Sequence, residues 1–275
     1  MPEWLEILLE CSRNVRENTL RLLQKPRHQI TYGIGAGGDT TYQIDHIAEN
    51  TIINTIKQYN LTFTLISEEA GIKKIGKNPQ HYVTIDPIDG TTNALRGMPF
   101  VATSIAVSEK PQLQSVTHAL VMDLHHNITY TAQKGEGAQK NNKKITPSKT
   151  IKLENLILGV ESTPKTPQQI NSLIAVLQNT KHPRHFGADA LEICYVADGT
   201  TDGFVDLRDK LRVTDMAAAQ LILTEAGGII TAPNGKKINA PLAPKERVSF
   251  IAIANKTLHR KIKFLITKGA TQHTC

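Results

Sequence analysis

One stretch restricts this chain more than any other. An apolar run, His81-Tyr82-Val83-Thr84-Ile85, reads as a β-strand and leads into Asp86-Pro87-Ile88-Asp89-Gly90-Thr91-Thr92-Asn93. Pro87 fixes one φ angle, and Gly90 lets the backbone approach a ligand closely. The run therefore places two carboxylates, three residues apart, at a strand end ahead of two hydroxyls. Such an arrangement suits a hard, oxygen-seeking cation held beside a phosphate. Magnesium binds through few carboxylates and keeps positions open for water and phosphate oxygens.

The rest of the chain supplies a scaffold for that strand end. Periodicity predicts helices over 3–24 and 43–59, strands over 63–66, 101–107, 115–122 and 128–133, and a turn at Gly135-Glu136-Gly137. The polar stretch 140–150 marks the boundary between an N-terminal half, 1–145, and a C-terminal half, 146–275. Beyond it, strands 155–161, 203–207 and 248–254 alternate with helices 167–179, 188–197, 215–226 and 256–267, an α/β pattern. With 275 residues the chain is long enough for a large core. Apolar residues make up 40% of it, and no apolar run approaches the ~20 residues that span a bilayer. The acidic start, Met1 to Glu6, argues against a signal peptide. Cys11, Cys194 and Cys275 are odd in number and widely spaced, which points to a reducing cytoplasm without a disulfide framework. The net charge of +7 reads as a solvated basic face. Few aromatics interleave with it, so no single-strand nucleic-acid platform is indicated.

Two further strand ends deliver acids: Ser67-Glu68-Glu69 after an apolar strand, and Thr214-Asp215 before a small-residue helix. Singly, Glu68 reads as loop charge and Asp215 as a helix cap. The loop 33–39 is rich in glycine and ends at Asp39, and is expected to be a mobile lid. The histidines lack zinc spacing, and Cys194 reads as core.

Together these elements resemble the lithium-sensitive, magnesium-dependent sugar phosphatases of the inositol monophosphatase superfamily. Asp86 to Asn93 matches the family's first signature, Glu68-Glu69 its upstream acidic pair, and Thr214-Asp215 with Glu225-Ala226-Gly227-Gly228 its second signature. Asp39 and Asp45 are spaced as in its early acidic element. The stretches Asp206-Leu207-Arg208, Leu211 to Asp215 and Phe186 to Tyr195 are similar to the archaeal-type branch, which combines fructose-1,6-bisphosphatase and inositol-1-phosphatase activity.

The resemblance implies a five-layered α-β-α-β-α sandwich, α+β in its N-terminal half and α/β in its C-terminal half. It implies one magnesium ion on Glu68, Asp86 and the Ile88 carbonyl, a second on Asp86, Asp89 and Asp215, and a third, weaker ion near Glu68. Thr91 and Glu68 would orient and deprotonate the attacking water, with Asp39 holding Thr91 or the third ion. Backbone N–H groups of Gly90 and Thr91 would face the phosphate. Arg184, Asp189 and Arg208 would line the pocket beyond it. Two arginines there suit a second phosphate, whereas Asp189 would repel one. The alternative for Arg184 and Arg208 is an ion pair with Asp189, Asp206 or Asp209. The implied reaction is in-line hydrolysis of a sugar or polyol phosphate by a cytoplasmic homodimer without a membrane partner. A 3′(2′),5′-bisphosphate nucleotidase, or a non-catalytic regulatory or RNA-associated protein on the same fold, stays open.

Overall fold

A helix that is apolar on every side needs cover on every side. Such a helix, rich in alanine, runs from Val213 to Ala226, and nearly all of its residues are buried. The fold is built around it. The computed structural model describes residues 3–24, 30–163 and 166–271; Met1, Pro2 and Cys275 lie outside them.

The N-terminal half runs α1 (Trp4–Gln24), β1 (Thr31–Ile34), β2 (Thr40–Tyr42), α2 (Gln43–Gln58), β3 (Phe63–Ser67), β4 (Gly71–Ile75), β5 (His81–Asp89), α3 (Thr91–Arg96), β6 (Ala102–Ser108), β7 (Val116–Asp123), β8 (Ile128–Gln133), β9 (Gly137–Lys140) and β10 (Lys143–Lys144). The C-terminal half continues with β11 (Ile157–Val160), α4 (Pro167–Leu177), β12 (His182–Arg184), α5 (Asp189–Ala197), β13 (Gly203–Arg212), α6 (Val213–Ala226), β14 (Ile229–Thr231), β15 (Arg247–Ile253) and α7 (Lys256–Thr271).

Two sheets result. The larger has the order β10-β9-β8-β7-β6-β5-β3-β4, the smaller β12-β11-β13-β15-β14. β3 runs parallel to β5, and β11 parallel to both β12 and β13. Helices α1 and α2 bury Ile7, Leu8, Val15, Ile44 and Ile52 against one face of the larger sheet. Helices α5 and α6 fill the space between the sheets, where Leu191, Met216 and Ile222 share a core with Val121 of one sheet and Phe250 of the other. Leu173, Ile262 and Ile266 of α4 and α7 cover the outer face of the smaller sheet. The order of layers is α-β-α-β-α, as the resemblance implies.

Three local readings change. The stretch 33–39 is not a free loop: it is the tip of the β1–β2 hairpin, closed by a Gly35 N–H to Asp39 carbonyl bond of 2.8 Å. Strand β13 runs on to Arg212 through a break in register between Asp206 and Leu211, where Asp209 has a φ of 54°. Helix α6 starts at Val213, which places Asp215 in its first turn.

Candidate active site

Residues three apart on a regular strand face opposite ways. The register of β5 against β6 shifts between Asp86 and Asp89, beside Pro87, which has no N–H to give the ladder. Both carboxylates thereby reach one cavity. In the parallel pair β3–β5, Ser67 lies opposite Ile85, so the next residues, Glu68 and Asp86, are neighbours. The first turn of α6 brings Asp215. Glu68, Asp86, Ile88, Asp89, Gly90, Thr91, Asp189 and Asp215 all line a cavity of about 360 Å³, with Asp39 at its edge.

The acids in this cavity disfavour their own ionisation. Burial pushes the Glu68 carboxyl well above the usual range, and Asp86 and Asp215 push it further, against the pull of Arg212. Burial does the same to Asp86, with Asp215 and Asp89 adding repulsion. Asp89 is raised by burial and then by Asp189 and Asp215, and Asp189 by burial and then by Glu192 and Asp215. One oxygen of Asp86 is buried without a hydrogen-bond partner. Crowded oxygen donors with an unmatched lone pair fit a hard divalent cation, which would relieve the repulsion. Among the described residues no three acid, imidazole or thiol groups already converge as ready-made ligands. A guanidinium stands among them instead. Arg212 donates from Nε to Asp215 (3.1 Å), and its Nη1 and Nη2 lie 2.6 Å from Asp39 and 2.5 Å from Glu68.

Asp39 does not hold Thr91. The Thr91 hydroxyl lies 3.1 Å from Asp45 and 3.0 Å from the Ile88 carbonyl, while the Asp39 side chain is 80% exposed and faces Arg212. Asp45 also accepts the Tyr42 N–H at 2.7 Å at the start of α2, and burial pushes its carboxyl up to about 7. Behind Glu68, the buried Glu49 accepts the Ser67 hydroxyl and the Ala70 N–H, which fixes the turn that carries Glu68 and Glu69.

The first signature also docks the C-terminal half. Asp89 accepts the N–H groups of Asp189, Ala190 and Leu191 at 2.9, 2.9 and 3.2 Å, where a carboxylate suits the start of α5. Asn93 donates to the carbonyls of Phe100 and Phe186 at 2.9 and 2.7 Å. Gly90 has a φ of 88°, and a Cβ there would meet the Phe100 carbonyl at 3.0 Å and the Ala188 methyl at 3.1 Å. Glycine is needed for both reasons.

The two arginines expected at a second phosphate behave otherwise. Arg184 sits exposed on the edge strand β12, where Nη1 donates to the Pro183 carbonyl; it is not among the residues lining the cavity. Arg208 takes up the ion-pair alternative. It grips Asp206 with Nε at 3.0 Å and Nη2 at 2.8 Å, and Nη2 lies 3.1 Å from Glu161. It does border a second cavity of about 530 Å³, beside the first, with Lys210, Arg212 and Arg247.

Comparison with known proteins gives the family of the chain as a whole. The inositol monophosphatase family pattern matches residues 4–268. The chain belongs to the inositol monophosphatase family. A fructose-1,6-bisphosphatase/inositol-1-monophosphatase of Methanothermobacter thermautotrophicus is 37% identical over 83% of this chain and 84% of its own. A bifunctional NADP phosphatase/NAD kinase of Methanococcus maripaludis is 34% identical over 94% of this chain, which spans only 48% of that relative. A solved inositol monophosphatase–fructose 1,6-bisphosphatase structure superposes with a TM-score of 0.85 at 30% identity, covering 96% of this chain and 100% of the other. Within this family setting, the residues whose roles the sequence left unread are Arg212, Asp45 and Asn93. Asp45 was visible in the Asp39–Asp45 spacing, and Arg212 lies three residues before Asp215. The carbonyls that Asn93 holds left no trace in the sequence.

Proposed function

We propose that the chain is a magnesium-dependent phosphate monoester hydrolase acting on sugar and polyol phosphates, foremost fructose 1,6-bisphosphate and inositol 1-phosphate. The observation that carries this reading is the meeting of Glu68, Asp86, Asp89 and Asp215, from separate strand ends and a helix start, in one cavity. Glu68, Asp86 and the Ile88 carbonyl would hold one magnesium ion, Asp86, Asp89 and Asp215 a second, and a third would sit near Glu68. Bound there, the ions polarise the phosphoryl group and lower the pKa of a water. The remaining work falls to the chain. Glu68 accepts the proton of the attacking water. Thr91, its hydroxyl anchored between Asp45 and the Ile88 carbonyl, orients that water. Asp89 seats α5, so that Asp189 stands where it can accept hydrogen bonds from sugar hydroxyls.

The second cavity supports a bisphosphate over a monophosphate. Lys210 and Arg247 border it and present cationic groups. The same feature and the similarity to the NADP phosphatase/NAD kinase support a second reading, a phosphatase of phosphorylated nucleotides such as NADP or adenosine 3′,5′-bisphosphate. Buried free Cys11 and Cys194 support a reducing cytoplasmic setting. No described helix is long and apolar enough to cross a membrane. A homodimer is proposed from the resemblance alone.

The test is phosphate release with magnesium from fructose 1,6-bisphosphate, inositol 1-phosphate, NADP and adenosine 3′,5′-bisphosphate. Highest kcat/KM on the first two supports the reading. A preference for the nucleotides selects the second reading, and release from none selects a non-catalytic protein on this fold.

A further inference from the structure

Arg212 takes up three carboxylates at once. Its Nε lies 3.1 and 3.2 Å from the two oxygens of Asp215, Nη1 lies 2.6 Å from Asp39, and Nη2 lies 2.5 Å from Glu68. The side chain is only 18% exposed. Burial opposes its charge, but Asp215, Glu68, Asp86 and Asp39 together outweigh that and hold it firmly ionised. Two of its partners, Glu68 and Asp215, are proposed ion ligands, whereas Asp39 is an exposed residue at the hairpin tip. Magnesium needs its oxygen ligands at about 2.0–2.1 Å in near-octahedral array. A guanidinium already on those oxygens blocks part of that shell, and its like charge a few ångströms away repels a cation.

The surrounding backbone fixes the guanidinium in this place. The Gly37 N–H bonds to the Glu68 carbonyl at 2.6 Å, and a Cβ at position 37 would stand 3.2 Å from Arg212 Nη1. Arg247 Nη2 donates to the Gly37 carbonyl at 2.7 Å, so a second arginine closes the hairpin tip over the first. Arg212 is thus enclosed by the hairpin tip, the acid pair after β3 and the start of α6, with Asp39 as the one partner outside the proposed ligand set.

We propose that Arg212 competes with the divalent cation for Glu68 and Asp215, and thereby sets how tightly the site holds its ion. This inference rests on the reading of Glu68 and Asp215 as ion ligands. Arg212 retreats to Asp39 when the ion binds, and returns to Glu68 and Asp215 when it leaves. Arg212 stabilises the acid cluster in the absence of the ion at the expense of ion affinity. It acts as a positioning residue, through the carboxylates rather than on the substrate.

The experiment measures Mn²⁺ binding by titration calorimetry, with no substrate present, in the wild-type chain, Arg212→Met and Arg212→Lys. Thermal melting of each is followed in EDTA and in Mn²⁺. Coupling free energies between interacting sites in proteins typically correspond to roughly 5–150-fold in affinity. Arg212→Met is expected to bind Mn²⁺ at least about tenfold more tightly. It should also melt lower in EDTA and gain more from Mn²⁺ than the wild type does. Arg212→Lys, which cannot fork between Glu68 and Asp39, should fall between the two. It also supplies the affinity readout if the Met variant does not fold. A residue that only props up the fold would lower melting without raising affinity. Mn²⁺ affinity equal to or weaker than wild type in the folded variants overturns the competition while leaving the phosphatase reading intact. Absence of Mn²⁺ binding in all three chains overturns the metal reading and the inference with it.

Discussion

Removing the Arg208 side chain separates two accounts of this protein. As a phosphate clamp, Arg208 would matter mainly to bisphosphate substrates. As the structure has it, Arg208 neutralises Asp206, which is fully buried, and Glu161, which is 8% exposed. Asp206 also accepts the Arg208 backbone N–H at 2.8 Å, so acid and base are locked two residues apart on β13. Truncating one partner of a buried pair leaves the other charge uncompensated, at about 3–5 kcal/mol. Here the guanidinium makes a two-pronged grip on Asp206 and a further contact to Glu161, and its side chain is 15% exposed. Arg208→Ala is therefore expected to lower the unfolding free energy by about 3–5 kcal/mol. Arg208→Lys should lose less, because it keeps the charge without the fork. Urea unfolding of the three chains reads the stability directly. At a temperature where each is folded, KM for fructose 1,6-bisphosphate and for inositol 1-phosphate should change in parallel. A stability loss below about 1 kcal/mol, with a KM increase confined to the bisphosphate, would refute this reasoning and return Arg208 to the substrate.

Other expectations follow from the same contacts. Asn93→Ala strips the carbonyls of Phe100 and Phe186 of their donor and should cost roughly 2–4 kcal/mol in urea unfolding; a change within about 0.5 kcal/mol would mean that those carbonyls find other partners. Asp45→Ala leaves the Thr91 hydroxyl with the Ile88 carbonyl as its remaining anchor and should reduce kcat roughly a hundredfold while KM stays close to wild type; a near-normal kcat would remove Asp45 from the water-orienting set. Glu192 accepts the Phe186 and Gly187 N–H groups, and burial pushes its carboxyl up to about 7. The folded state thus keeps a proton that the unfolded chain releases near 4.5. Its stabilising contribution is complete at low pH and is lost as pH rises through about 7, by roughly 3 kcal/mol at most. Glu192→Gln should lessen the decline in urea midpoint between pH 5 and pH 8, and an identical decline in both proteins would contradict the assignment.

The layer order came from the family resemblance, whereas the individual elements were legible because their causes are local. The α1 stripe and the alternation in β6 to β8 placed those elements; that α6 is buried on nearly every side is seen only in the structure. Asp86 and Asp89 were legible as a candidate pair because Pro87 and Gly90 mark the strand end that carries them. What failed depended on partners distant in the chain. Asp39 and Asp45 are similar in sequence, but only the shape of the β1–β2 hairpin decides that Asp45 reaches Thr91 and Asp39 reaches Arg212, 173 residues away. Arg184 looked like a pocket residue until β12 proved to be the edge of the smaller sheet. The Arg208–Asp206 pair stood as the alternative reading of Arg208, while the strand expected over 203–207 continues to Arg212 through a register break between Asp206 and Leu211. The docking roles of Asp89 and Asn93 join residues about a hundred positions apart.

The most direct test is anomalous diffraction from crystals soaked in Mn²⁺, recorded at the manganese edge. The account predicts density between Glu68, Asp86 and the Ile88 carbonyl and between Asp86, Asp89 and Asp215, with the Arg212 guanidinium withdrawn from Glu68 and Asp215. Well-ordered crystals that show no manganese among those carboxylates, under conditions where the same protein releases phosphate, would contradict it.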